Sequence, residues 1–305
     1  MKRLIGITIP ILMVLAVIGC PGKQTDEGKI ANLLAESQYT TEAVIDDSSS
    51  SPAPSFFSSS LADSIPYVRF VRKINRPITR EVLAEVTGDS ATATITAYLT
   101  GYFYADTALA VGPFAQRIIQ DSTIRKVNLV RDSTAPYGWR IISLTPWQSH
   151  TIGANPIATI TKVEATVASR GYTFTLTDAA AYLTKDQLPT FFPNDTIQVT
   201  VEVTTAGDSS WAFLHHGRRP HRIFHFKDPF LKESKDKFSG TWFVASDSVI
   251  NTPRVRHAAF DIISWNSLWG PTTDSLYFSR VWALPYIVKK DSTETAPPDT
   301  TSATD

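Results

Sequence analysis

One cysteine occurs in the 305 residues of this chain. Without a second, no intramolecular disulfide can form, and the fold must be stabilised by its core alone. Nor does the charge lean to either sign: Lys plus Arg number 29, as do Asp plus Glu. That balance gives no general attraction to nucleic acid. Catalytic signatures are missing too. There is no G-x-S-x-G, no H-E-x-x-H and no phosphate-cradling glycine loop. Asp178, Asp186 and Asp195 are scattered and sit near turns, where aspartate is expected for local reasons.

The N-terminus carries more information. Lys2 and Arg3 precede an almost unbroken apolar run over 4–18, interrupted by Pro10. The run is shorter than the roughly 20 residues that span a bilayer, and proline opposes a continuous helix. A basic start, a short apolar stretch and a small residue at the end describe an export signal. The run closes on Val17-Ile18-Gly19-Cys20, which resembles the lipobox of bacterial lipoproteins. The resemblance covers only these residues. It implies cleavage between Gly19 and Cys20, a diacylglycerol on the Cys20 thiol and no other cofactor. It also implies anchoring in the bilayer, on the outer side of the cytoplasmic membrane or in the outer membrane. Each buried acyl methylene contributes about 0.8 kcal/mol, and two or more chains hold a protein stably. Pro21 rather than Asp follows the cysteine, which by resemblance to enterobacterial sorting permits outer-membrane delivery. Cleavage would leave the mature chain with two more acidic than basic residues.

Length suggests two domains, and 43% hydrophobic content can fill two cores. After a lipidated tether at 20–25, Asp26 can cap a helix whose Ile30, Leu33, Leu34 and Ser37 share one face. Residues 46–60, rich in Ser and Pro, read as a loop or a weak second helix. Strands are expected at 67–74, 78–87, 91–104, 123–131 and 139–145. The clearest, 91–104, alternates Ala93, Ile95, Ala97, Leu99, Gly101 and Phe103 with Thr and Tyr, so one face is buried. Gly88-Asp89 and Pro136-Tyr137-Gly138 mark turns. The whole of 26–148 therefore reads as an α+β domain, a helix on a curved antiparallel sheet. It is similar to the nuclear transport factor two-like cone folds in its N-terminal helix, in Gly88-Asp89-Ser90-Ala91-Thr92 entering a long strand, and in the terminal strand Tyr137-Gly138-Trp139-Arg140-Ile141-Ile142-Ser143-Leu144.

A linker is expected at 149–156. Residues 157–288 then read as an all-β sandwich of immunoglobulin-like or fibronectin-like architecture, from seven or eight short alternating strands such as Ile197, Val199, Val201 and Val203. Residues 289–305, rich in Thr, Ser, Pro and Asp, are expected to be a disordered tail.

Candidate sites are few. Four of the six histidines fall in His215-His216-Gly217-Arg218-Arg219-Pro220-His221-Arg222-Ile223-Phe224-His225. A turn at Gly217 and Pro220 could bring His215, His221 and His225 together as metal ligands, with Asp228 nearby. The same stretch serves equally as a solvated basic hairpin. Arg218, Arg219 and Arg222 suit an anionic glycan or an envelope protein, because the guanidinium fork pairs with phosphates and carboxylates. Among the late aromatics, Trp242 and Trp282 fit a sandwich core. Trp269, beside Gly270-Pro271, is the best candidate for an exposed contact. The reading that follows is a non-catalytic, membrane-anchored envelope module. The alternatives are a small-ligand carrier or enzyme using a pocket in the first domain, and metal binding by the histidine hairpin.

Overall fold

The computed structural model describes residues 24–40, 45–46, 69–106, 115–153, 157–205, 210–216, 226–244, 252–270 and 277–300. The first element is α1 (Asp26–Glu36). Thr25, rather than Asp26, caps it by accepting from the Gly28 amide at 3.2 Å, an arrangement that stabilises a helix by about 1 kcal/mol. Asp26 and Glu27 lie in the first turn, where the helix dipole favours them. Ile30, Leu33 and Leu34 are fully buried. Each such side chain contributes roughly 1.5–3 kcal/mol by leaving water.

The face that receives them is built on a long antiparallel pair, β3 (Ser90–Asp106) and β4 (Ala115–Arg131). On its far edge β3 carries two strands in succession, β1 (Arg69–Ile74) and β2 (Thr79–Thr87). In the same way β4 carries β5 (Trp139–Leu144) and β6 (Trp147–Thr151). The Gly88 turn has φ +59°, and at the 136–138 turn Tyr137 and Gly138 have φ 58° and 74°. The odd residues of β3 face inward as the alternation predicts, with Ala93, Ile95, Ala97 and Phe103 fully buried.

The chain then forms β7 (Ala158–Val167), β8 (Tyr172–Leu176), two short strands β9 (Leu183–Thr184) and β10 (Thr190–Phe191), and β11 (Thr196–Thr205). Next come β12 (Ser210–His216), β13 (Phe226–Pro229), β14 (Leu231–Ser234), β15 (Lys237–Phe243) and β16 (Arg254–Ser264). A one-turn helix α2 (Trp265–Trp269) and β17 (Ser279–Val288) follow. These strands enter two sheets. One has 12 strands along the path β1-β3-β4-β6-β17-β16-β12-β13, with β2, β5, β9 and β10 attached to its sides; the other is β14-β15-β11-β7-β8. All pairings are antiparallel except that of β10 with β17. The large sheet curls with α1 against it, and the five-stranded sheet forms a second layer.

Three strands belong to both layers. Ala258, Phe260 and Ile262 of β16 face the five-stranded sheet, while Val255, Ala259 and Ile263 face the concave side. β12 and β17 divide in the same manner. This double burial explains why all three read as nearly continuous apolar runs. Trp242 and Trp282 lie in the core between the sheets, as expected.

Two expected segments differ. The linker at 149–156 begins inside β6, which bonds to β4 on one side and β17 on the other. Trp147, Ser149 and Thr151 alternate inward, but the strand is short and follows Pro146, so composition hides it. The tail is ordered to Thr300. Ser37 and Thr300 form a bridge, Tyr39 donates to the Pro297 carbonyl at 2.7 Å, and Asp299 is buried. Specific partners on α1 and β5 thus hold a segment whose composition is that of a loop.

Candidate functional site

The concave face of the large sheet is not purely apolar. Along β4 the inward residues are Arg117, Ile119, Asp121, Thr123, Arg125, Val127 and Leu129, four of them polar or charged and all of them buried. Strand alternation places them on one face whatever their polarity. Arg72 joins from β1, His257 and Asp261 from β16, His215 from β12 and Ser279 from β17.

At the centre is Asp261. Its Oδ2 accepts from Arg72 Nη2 at 2.6 Å and pairs with His215 Nε2 at 2.9 Å, and its Oδ1 accepts from Ser279 Oγ at 2.7 Å. Burial opposes ionisation of Asp261, but Arg72, with His215 and Ser279, outweighs it and holds the carboxyl below its ordinary value. Arg72 also donates from Nε to the Tyr277 hydroxyl at 2.8 Å and lies between the rings of Phe70, Phe103 and Tyr277. Burial pushes the Tyr277 hydroxyl up. Neighbouring Asp121 is buried opposite Thr151 of β6. Burial raises its carboxyl to about 7, with the Thr151 hydroxyl and Arg72 working against the shift and Asp261 adding to it.

A second group lies under α1. Arg125 is fully buried, donates to the Tyr39 carbonyl at 2.6 Å and stands over the Trp147 ring at 4.9 Å. Burial lowers its affinity for a proton well below the usual, and Arg80 adds to this. His257 donates from Nε2 to the Gln38 carbonyl at 3.0 Å.

Chemically, the Asp261 cluster is an internally paired ionic network rather than a nucleophile set. Ser279 bonds to the Asp261 carboxylate and not to His215, so the serine–histidine contact of a nucleophile pair is not formed. His215 therefore has a different setting from that expected. It is wholly buried against Asp261, while its neighbour His216 pairs with Asp228 at 2.7 Å. His221, His225, Arg218, Arg219 and Arg222 lie outside the described residues, as do Gly19 and Cys20. Among the described residues no three His, Cys, Asp or Glu gather to hold a metal, and no helix is long and apolar enough to cross a membrane. Trp269 ends α2 half-buried, its ring 4.1 Å from that of Trp265 and 5.9 Å from that of Trp211. It sits on the edge of a core cluster rather than on a free loop.

The sequence reading missed Arg72, Asp121, Arg125, His257 and Asp261. Each occupies the inward phase of its strand, a phase that polar residues on both faces obscure in β4. No family model matches this chain, and no curated protein does.

Proposed function

We propose that this protein is an envelope lipoprotein, anchored in the bilayer through lipid on Cys20, acting as a non-catalytic binding or structural module. The single observation that carries the reading is the N-terminal pattern of Lys2-Arg3, an apolar run over 4–18 and Gly19-Cys20. The start of α1 at Asp26 supports it, since 20–25 then serves as a short tether to a folded body. Pairing of Arg72 and His215 with Asp261 also favours a non-catalytic role. A small-ligand reading of the concave face is the weaker one: the cavity beside Asp121 has room for about one water.

In the same reading, the helix on a curled sheet is a variant of the nuclear transport factor two-like cone. The five-stranded sheet, packed on β12, β16 and β17, completes an immunoglobulin-like or fibronectin-like sandwich. Arg218, Arg219, Arg222 and Trp269 would meet an envelope protein or anionic glycan.

The test is the mass of the N-terminal peptide from the membrane fraction, for wild type and Cys20→Ser. A wild-type peptide beginning at Cys20 and carrying diacylglycerol, lost from the membrane in the variant, supports the proposal. A chain that begins at Met1, or an unmodified Cys20 in the soluble fraction, overturns it.

A further inference from the structure

Arg72 stands between two buried carboxylates and is committed to one of them. It bonds Asp261 at 2.6 Å. Asp121 is 6% exposed, and its Oδ1 accepts no hydrogen bond among the described residues. Asp121 and Arg72 share the wall of a small cavity with Ser149, Ser279, Leu99 and Val281. Among the described residues, the titratable and charged groups around Asp121 are Arg72 from β1, Asp261 from β16, paired with His215 of β12, and Tyr277, which bonds Arg72. β6 and β17 offer only hydroxyls, from Ser149, Thr151 and Ser279. An ionised Asp121 would set two buried carboxylates against one guanidinium, an arrangement that favours the neutral acid.

Arg72 also ties β1, which is paired on one side with β3, to β16 across the curl. β1 is one end of the large sheet, and it meets the other end through side chains. Phe70 packs edge-on to Phe213 of β12 at 4.9 Å, and Lys227 of β13 reaches the Phe70 carbonyl.

We propose that Asp121 and its cavity form a proton-operated latch on β1. With Asp121 protonated, Arg72 stays on Asp261 and the seam between β1 and β12 is closed; once the proton leaves, two carboxylates compete for Arg72 and the seam loosens. The raised Asp121 value agrees in sign: its stabilising effect is complete below about 3.8, the ordinary value, and is lost as pH rises through about 7.

The experiment is urea denaturation of the full chain, wild type and Asp121→Asn, from pH 4 to pH 8, with hydrogen exchange followed on both. The ratio of folding constants, variant over wild type, should rise roughly tenfold per pH unit between about 4 and about 7 and then level off. Wild-type protection of β1 amides, corrected for intrinsic exchange, should fall between pH 6 and pH 8 while that of the variant holds. A ratio independent of pH overturns the proposal. A rising ratio with unmoved β1 protection leaves a proton on Asp121 and overturns the latch. Should the variant fail to fold, infrared spectra of the wild type decide: a protonated carboxyl that titrates near neutrality supports the latch, and fully ionised carboxylates at pH 6 overturn it.

Discussion

Arg72 and Asp261 meet at 2.6 Å with side chains 3% and 0% exposed, although β1 and β16 are not neighbours in the sheet they share. Their contact crosses the interior of the curl. Removing one partner strands the other charge in a dry site, which costs about 3–5 kcal/mol. Arg72→Ala should therefore lose about that much stability in urea denaturation. Replacing both, as Arg72→Met with Asp261→Leu, should cost less than the single change, because no lone charge remains. A loss below about 1 kcal/mol in the single variant would show that the pair does not hold the curl.

His257 gives a prediction of opposite sign to Asp121. Burial pushes its imidazole down to about 3; Arg125 and Arg256 add to this and the bond to the Gln38 carbonyl opposes it. The ordinary value is 6.5, so His257 contributes stability that is present above pH 6.5 and is lost as pH falls toward 3. Between about 4 and about 6.5 it tilts stability upward with pH while Asp121 tilts it downward. The wild type should show little net slope there from these two groups. His257→Gln should fall with rising pH and Asp121→Asn should climb, as read by denaturation midpoints across that range.

Gly101 of β3 pairs with Ile74 of β1 with no room for a side chain. A Cβ there would lie 2.1 Å from the Lys73 carbonyl oxygen. Gly101→Ala must push β1 away from its partner, and overpacking of this kind costs about 1–3 kcal/mol. Thermal unfolding would register the loss, and β1 amides would show it first by faster exchange.

The segment ending at Thr300 is held by the Tyr39 and Gln38 bonds to Pro297 and Pro298, by the Ser37 bridge, and by Asp299, which accepts from the Ile141 amide at 3.1 Å and pairs with Lys185. At about 1 kcal/mol for each net hydrogen bond, truncation after Ala296 should destabilise by about 2–4 kcal/mol. Unchanged unfolding of the truncated chain would show these contacts to be idle.

Sequence reading went furthest where alternation was clean. β3 and β11 were the most legible, from period two, and α1 from its apolar face, because in each the inward phase is apolar and the outward phase mainly polar. It failed where that contrast disappears. The first half of β4 carries Arg117 and Asp121 inward and Ile118 outward, with Ile118 66% exposed, so no phase stands out. β6 is five residues long, too short to establish a period. The ionic cluster was invisible for a further reason: Arg72, Asp121, His215, Asp261 and Ser279 come from five strands, and only the sheet order brings them together. His215 was noticed for its histidine neighbours along the chain, whereas its partner is across the sheet.

The order of strands also has a bearing on how the chain is made. β17, the last of the described strands along the chain, lies in the middle of the large sheet, between β6 and β16. Until residue 288 has emerged, β6 has an open edge and no strand pairing joins the two halves of the sheet. Closure of the sheet is thereby tied to the arrival of β17, whose pairing with β6 joins residues 130 to 136 positions apart. Such distant contacts form slowly. The nascent polypeptide therefore carries an unpaired β6 edge until β17 arrives.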